Sequence, residues 1–158
     1  MNYIGISAFD TANGPGVRVS LFVSGCSLHC KGCFNPESWD FCAGRPFTNE
    51  TLNELLKALE EPYIDGLSLL GGDPLEPKHV DEVCGIVKAV RARFGSEKTI
   101  WLWTGRKYEN VQDLEILKYI DVIVDGPFID KLKVTQQGAY FGSTNQRLIH
   151  LHPTKSHA

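Results

Sequence analysis

The sequence predicts an α/β fold with a mainly parallel sheet, and three observations carry that prediction. Short apolar runs of strand length alternate with segments whose apolar residues recur at helical spacing. Residues 17–24 alternate strictly, with Val17, Val19, Leu21 and Val23 on one side and Arg18, Ser20, Phe22 and Ser24 on the other. Small and polar residues close four of the apolar runs, which is where an open parallel sheet gathers its ligands.

The elements follow in order. After the strand at 17–24, Thr48 suits a helix N-cap and Glu50 its first turn. Leu52, Leu55, Leu56 and Leu59 then keep helical spacing until Pro62. Residues 66–70 read as a buried strand. A second helix follows Pro77, with Val80, Val83, Cys84, Val87 and Phe94 along one face. A strand at 99–103, a third helix at 108–118 and a strand at 120–124 come next, with a weaker last strand at 146–151. Right-handed crossovers then bring four strand ends to one rim. These are Ser24-Gly25, Gly71-Gly72-Asp73-Pro74, Thr104-Gly105 and Asp125-Gly126-Pro127.

Composition narrows the class. A chain of 158 residues is expected to form one domain, placed here at 1–150 with a disordered tail at 151–158. Charge is nearly balanced, 16 Lys and Arg against 19 Asp and Glu, and no basic block argues for nucleic acid. The apolar runs are too short to span a membrane. Five cysteines, an odd count without a secretory pattern, point to reduced thiols and a cytoplasmic location rather than a disulfide framework.

Three of those cysteines stand as Cys26-Ser-Leu-His-Cys30-Lys-Gly-Cys33, directly after the first strand. Three thiolates from one loop can hold an iron–sulfur cube with one iron left open for a substrate. They can also hold zinc, closed by His29 or by Cys42. Spacing alone leaves both open.

The surrounding residues carry a resemblance. The cysteine loop, the Gly71-Gly72-Asp73-Pro74 turn and the β/α order resemble the radical S-adenosylmethionine enzymes. Residues Asn13-Gly14-Pro15-Gly16-Val17-Arg18 resemble the Asp-Gly-Pro-Gly-x-Arg signature of activating enzymes for glycyl radical proteins. Further segments are similar to the branch acting on anaerobic ribonucleotide reductase. These are Gly25-Cys26 with Cys30 through Asn35, Ser38-Trp39, Trp103-Thr104-Gly105, Val124 through Phe128 and Gly142 through Gln146. The resemblance runs from about Asn13 to Gln146.

It implies a truncated, partly open β/α barrel, with too few strand–helix units to close an eight-fold one. It implies a [4Fe–4S] cluster on Cys26, Cys30 and Cys33, whose free iron binds the methionine amino and carboxylate groups of S-adenosylmethionine. Reductive cleavage then gives a 5′-deoxyadenosyl radical, which takes hydrogen from a glycine of the partner. That partner is the glycyl radical subunit of the reductase, and the electron donor is a protein such as flavodoxin. Gly71, Gly72 and Asp73 match the motif that meets the methionine amino group, where backbone must approach closely. The Gly32-Cys33-Phe34 backbone is expected beside the adenine, and Thr104 and Asp125 as hydrogen-bonding partners of the ribose or carboxylate. No side-chain acid or base is expected, because the chemistry belongs to the cofactor. The alternatives are an activating enzyme of pyruvate formate-lyase or a related protein, and a non-catalytic zinc- or cluster-binding module.

Two residues depart from the wider pattern. Gly32 stands where an aromatic residue often precedes the third cysteine, and Asp73 where glutamate is common. Cys84 and Cys42 read as structural thiols, and His150, His152 and His157 as part of a loose tail. Trp101 and Trp103 share one face of a strand, expected to pack under a helix. Arg18 suits either a substrate carboxylate or a local ion pair.

Overall fold

The computed structural model describes residues 1–28, 39–134 and 140–151. Its elements are β1 (Asn2–Asp10), β2 (Arg18–Val23), β3 (Arg45–Pro46), α1 (Asn49–Leu59), β4 (Gly66–Gly71), α2 (Val80–Phe94), β5 (Thr99–Trp103), α3 (Tyr108–Val111), β6 (Val122–Asp125) and β7 (Arg147–His150). Short 3₁₀ turns lie at Glu115–Tyr119 and Asp130–Leu132. All seven strands form one open sheet in the order β3-β1-β2-β4-β5-β6-β7. The middle four strands are parallel, as the alternation of strand and helix requires. Both flanks are antiparallel, so the sheet is mixed.

The helices form where the side-chain pattern placed them. Thr48 caps α1 in a capping box: its side chain accepts from the Thr51 N–H while Thr51 Oγ1 accepts from the Thr48 N–H. Leu55, Leu56 and Leu59 are buried on one face of α1, and Val83, Cys84, Val87 and Val90 on one face of α2. These pack on Val19, Leu21, Val23, Leu67, Leu69, Ile100, Leu102 and Ile123 of the sheet. Each such aliphatic side chain contributes about 1.5–3 kcal/mol of transfer free energy when fully buried. Burial pushes the Cys84 thiol up from its ordinary value, as suits a core residue. Among the described residues, no helix is long and apolar enough to cross a membrane.

Three expectations change. β1 was not expected at all. Its sequence, NYIGISAFD, contains Gly5 and buries neither face consistently, so it has no period of two to find. The helix expected at 108–118 is broken into α3 and the 3₁₀ turn, because Leu114 takes an extended backbone between them. Val111, Ile116, Leu117 and Ile120 are all buried, and one straight helix cannot turn those positions to a single side. The tryptophans lie on the sheet face opposite the helices. There Trp101 joins Val122 and Val124 under Trp103, Tyr140, Phe141 and Leu148, so a returning segment covers them and not a helix.

Arg18 opens β2 on that same face and is fully buried. Its guanidinium donates to Ser68 Oγ, the Pro15 carbonyl, Thr99 Oγ1 and the Leu67 and Thr99 carbonyls. Every one of these acceptors is uncharged. Burial pulls its pKa down to about 10, which leaves it cationic at neutral pH. Arg18 therefore grips neither a substrate nor a contacting carboxylate. It ties the loop before β2 to the amino ends of β4 and β5. Replacing it, as Arg18→Met, should lower unfolding stability by about 2–4 kcal/mol, since several buried carbonyls lose their donor. A urea midpoint equal to that of the unaltered protein would contradict this role.

Candidate functional site

The site is built at the carboxyl ends of the parallel strands. Parallel pairing of β2 with β4 continues past both strands: the Gly72 N–H donates to the Val23 carbonyl at 2.8 Å, and the Asp73 N–H to the Gly25 carbonyl at 2.9 Å. This approach needs glycine. A Cβ on Gly72 would lie 2.4 Å from the Gly25 oxygen, and Gly25 itself has φ +109° with the Phe41 ring filling its side-chain space. Cys26 follows immediately and is buried at 9 % exposure. Its N–H donates to the Trp39 carbonyl, so the two ends of the cysteine loop are joined at its base. Cys30, Gly32, Cys33 and Phe34 lie outside the described residues.

Asp73 is fully buried, and its carboxylate is surrounded by donors. Leu75 N–H and Thr104 Oγ1 reach Oδ1 at 2.9 Å, while Gly105 N–H, Thr104 Oγ1 and Arg106 Nη1 reach Oδ2 at 2.9–3.0 Å. Burial pushes the carboxyl up from its ordinary value, and the N–H groups and the Arg106 charge oppose that rise. Three of the surrounding donors are N–H groups, which can only face an acceptor, so we read Asp73 as ionised. His79 Nε2 lies 2.8 Å from the Asp73 carbonyl and closes the turn from below.

Arg106 continues the network. Its Nη2 donates to Glu76 Oε2 at 3.0 Å, and the same oxygen accepts the Ser27 N–H at 2.7 Å and the Ser27 hydroxyl at 2.8 Å. Burial opposes ionisation of Glu76, but the Ser27 donors and Arg106 outweigh it and hold its carboxyl below the ordinary value. Ser27 is the residue after Cys26. Gly105 packs so closely on Leu28 of the same loop that a Cβ there would lie 2.5 Å from the leucine Cδ1.

Of the expected site residues, Cys26, Gly71, Gly72, Asp73 and Thr104 therefore come together at one place. The Thr104 hydroxyl donates to Asp73 and accepts from the Arg106 N–H. Asp125 ends β6, the next strand, with its carboxylate accepting from the Tyr108 N–H and from Arg147, which also pairs with Glu109. Beside it opens a pocket of about 400 Å³ lined by Lys107, Asp125, Gly126, Pro127, Ile129 and Asn145. Ser27, Glu76, His79 and Arg106 were not anticipated. The available signal for Arg106 was its position just after Thr104-Gly105, at the end of a rim strand. Cys42 is exposed and Cys84 lies in the α2 core.

The chain is similar to known proteins over nearly its full length. Residues 12–149 match the model of the 4Fe-4S single cluster domain. The chain is 49 % identical over 148 residues to the anaerobic ribonucleoside-triphosphate reductase-activating protein of Enterobacteria phage T4, covering 94 % of this chain and 93 % of that one. It is 39 % identical over 155 residues to the protein of the same name from Escherichia coli K12, covering 96 % and 99 %. The corresponding Haemophilus influenzae protein is 41 % identical over 154 residues. The chain belongs to the family of anaerobic ribonucleoside-triphosphate reductase-activating proteins. Within that family frame, the loop carrying Cys26 and the turn carrying Gly71-Gly72 are held together by backbone contact.

Two substitutions test that contact. Gly72→Ala forces a methyl group against the Gly25 backbone and should lower stability by about 1–3 kcal/mol. Asp73→Asn leaves the half-buried Arg106 guanidinium and fixed N–H donors facing an amide, and should cost about 2–4 kcal/mol. Urea denaturation of the full chain measures both. A Gly72→Ala midpoint unchanged from the unaltered protein would show that the two loops do not depend on close backbone approach.

Proposed function

We propose that this chain activates an anaerobic ribonucleoside-triphosphate reductase by radical S-adenosylmethionine chemistry on a truncated, partly open β/α barrel. The observation that carries the reading is the near full-length match to relatives bearing that activating name, together with a 4Fe-4S domain match spanning the cysteine loop. The donor set fits a cluster. Cys26 stands at the carboxyl end of the parallel strands, and Cys30 and Cys33 follow it in sequence at cluster spacing. When bound and reduced, the cluster supplies the electron that cleaves S-adenosylmethionine to methionine and the 5′-deoxyadenosyl radical, which abstracts hydrogen from a glycine of the reductase.

The chain's own residues hold and shape. Cys26, Cys30 and Cys33 hold the cluster and leave one iron without a thiolate. Gly71 and Gly72 present backbone without side chains to the methionine end of the ligand. Gly32, Cys33 and Phe34 run beside its adenine. Asp73 belongs to the turn that meets the methionine amino group. Thr104 and Asp125 stand as hydrogen-bonding partners of the ribose or carboxylate, their contacts to Asp73 and Arg147 fixing the loops that border the ligand. No side chain is assigned as a base. A one-electron donor such as flavodoxin supplies the reducing equivalent, and the reactions belong to the cytoplasm. The relatives' shared name favours the reductase over pyruvate formate-lyase as the partner.

The test is anaerobic reconstitution with iron and sulfide, reduction, and EPR spectroscopy with and without S-adenosylmethionine. A [4Fe–4S]⁺ signal that changes with the ligand is expected, followed by a glycyl radical doublet when the reductase subunit is added. Replacing Cys26, Cys30 or Cys33 by alanine should abolish the signal, and air should destroy the cluster. A stable zinc-loaded protein, or a cluster indifferent to the ligand, would overturn the proposal. A ligand-responsive cluster that makes a radical only on another glycyl radical protein would overturn the choice of partner.

A further inference from the structure

We infer that Arg106 is the positioning residue of this rim, setting the cysteine loop in register with the three other strand-end loops. This rests on the proposed cluster site but is read from contacts that do not involve the cluster. Through direct and relayed contacts Arg106 reaches all four loops. Its Nη1 pairs with Asp73 after β4 at 2.9 Å, and its Nη2 pairs with Glu76, farther along the same loop, at 3.0 Å. Through Glu76 it holds the Ser27 N–H and hydroxyl, one residue past Cys26 after β2. Its own backbone lies after β5, and its carbonyl accepts the Gly126 N–H after β6 at 2.9 Å.

The chemistry suits a clamp. A guanidinium presents donors in a fixed plane and can face two carboxylates at once, which an ammonium on a flexible stem does not reproduce. Asp73 is 1 % and Glu76 5 % exposed in their side chains, so neither charge has water as an alternative partner. Removing the cation leaves two buried carboxylates close together, and Glu76 then has to give up either its charge or its hold on Ser27. The residue thus acts on the cluster through Glu76 and Ser27, in the manner of groups that orient metal ligands without touching the metal.

The test uses the full chain with Arg106→Met, Arg106→Lys and Glu76→Gln, the last of which keeps volume and an acceptor for Ser27. Hydrogen exchange in the protein without iron reads the loop directly. Amides of residues 26–28 should exchange at least roughly tenfold faster in Arg106→Met, with partial recovery in Arg106→Lys. In the reconstituted and reduced protein, the S-adenosylmethionine concentration giving half the EPR change should rise roughly tenfold to hundredfold for Arg106→Met at equal cluster content. Glu76→Gln should reproduce the faster exchange with a smaller effect on ligand response. If Arg106→Met does not fold, Glu76→Gln carries the same comparison. Unchanged exchange and unchanged ligand response in the variants would overturn the inference while leaving the cluster proposal standing. A protein that takes up no cluster but still shows the accelerated exchange would overturn the functional reading and keep the clamp.

Discussion

The Asp73 carboxylate is removed from water and has to find its partners inside the protein. A buried charge is tolerated only when donors surround it, and here those donors come from its own turn and from the end of β5. The consequence is geometric. Satisfying Asp73 fixes Thr104 and Gly105 and places the Arg106 guanidinium where it also reaches Glu76. Glu76 in turn holds Ser27, and Ser27 follows the first cysteine. The cysteine loop is thus anchored at its start by a chain of polar contacts that begins at Asp73 after the neighbouring strand β4 and runs through the end of β5. The glycine contact between Gly25 and Gly72 sets the spacing within which that chain closes.

The sheet divides the labour between its faces. One face carries mostly aliphatic side chains, joined by Tyr3, and takes the helices, so it supplies much of the stability of the fold. The other mixes Arg18, Ser20 and Ser68 with an aromatic cluster around Trp101. Asp10 belongs to this polar side and accepts from Ser20 and Asn13, which outweighs the cost of its burial and lowers its pKa. Such a face needs a hydrogen-bond partner for each polar group and is costly to build.

Much of this was legible because strands and helices announce themselves by period. The alternation from Val17 to Val23 reflects one apolar face of a strand whose other face is buried but polar. The leucine spacing of α1 reflects one buried face, and a consistent apolar face is what periodicity reports. The cysteine loop and the Gly71-Gly72-Asp73 turn stood out because their residue types have few other uses in that order. The failures share the opposite property. β1 buries neither face evenly and so has no period. The segment 108–120 serves two short turns, whose combined burial imitates one helix. Arg106, Glu76 and Ser27 are ordinary polar residues in sequence, and only the approach of three loops makes them a network. Arg18 was misjudged for a similar reason, since a buried arginine fed entirely by neutral acceptors has no local signature.

The functional account joins this scaffold to its family. The parallel strands offer one rim, Cys26 stands at it, and the polar network holds Ser27, the residue after it, against the loop that follows the Gly71-Gly72 turn. The central claim is that one iron of the cluster lacks a thiolate and binds S-adenosylmethionine directly. The most direct measurement is electron–nuclear double resonance on the reduced protein with the ligand labelled by ¹⁵N at its methionine amino group. The account predicts a resolved ¹⁵N hyperfine coupling to the cluster. Ligand that binds without any such coupling would show that the iron is closed, and the claim would fail.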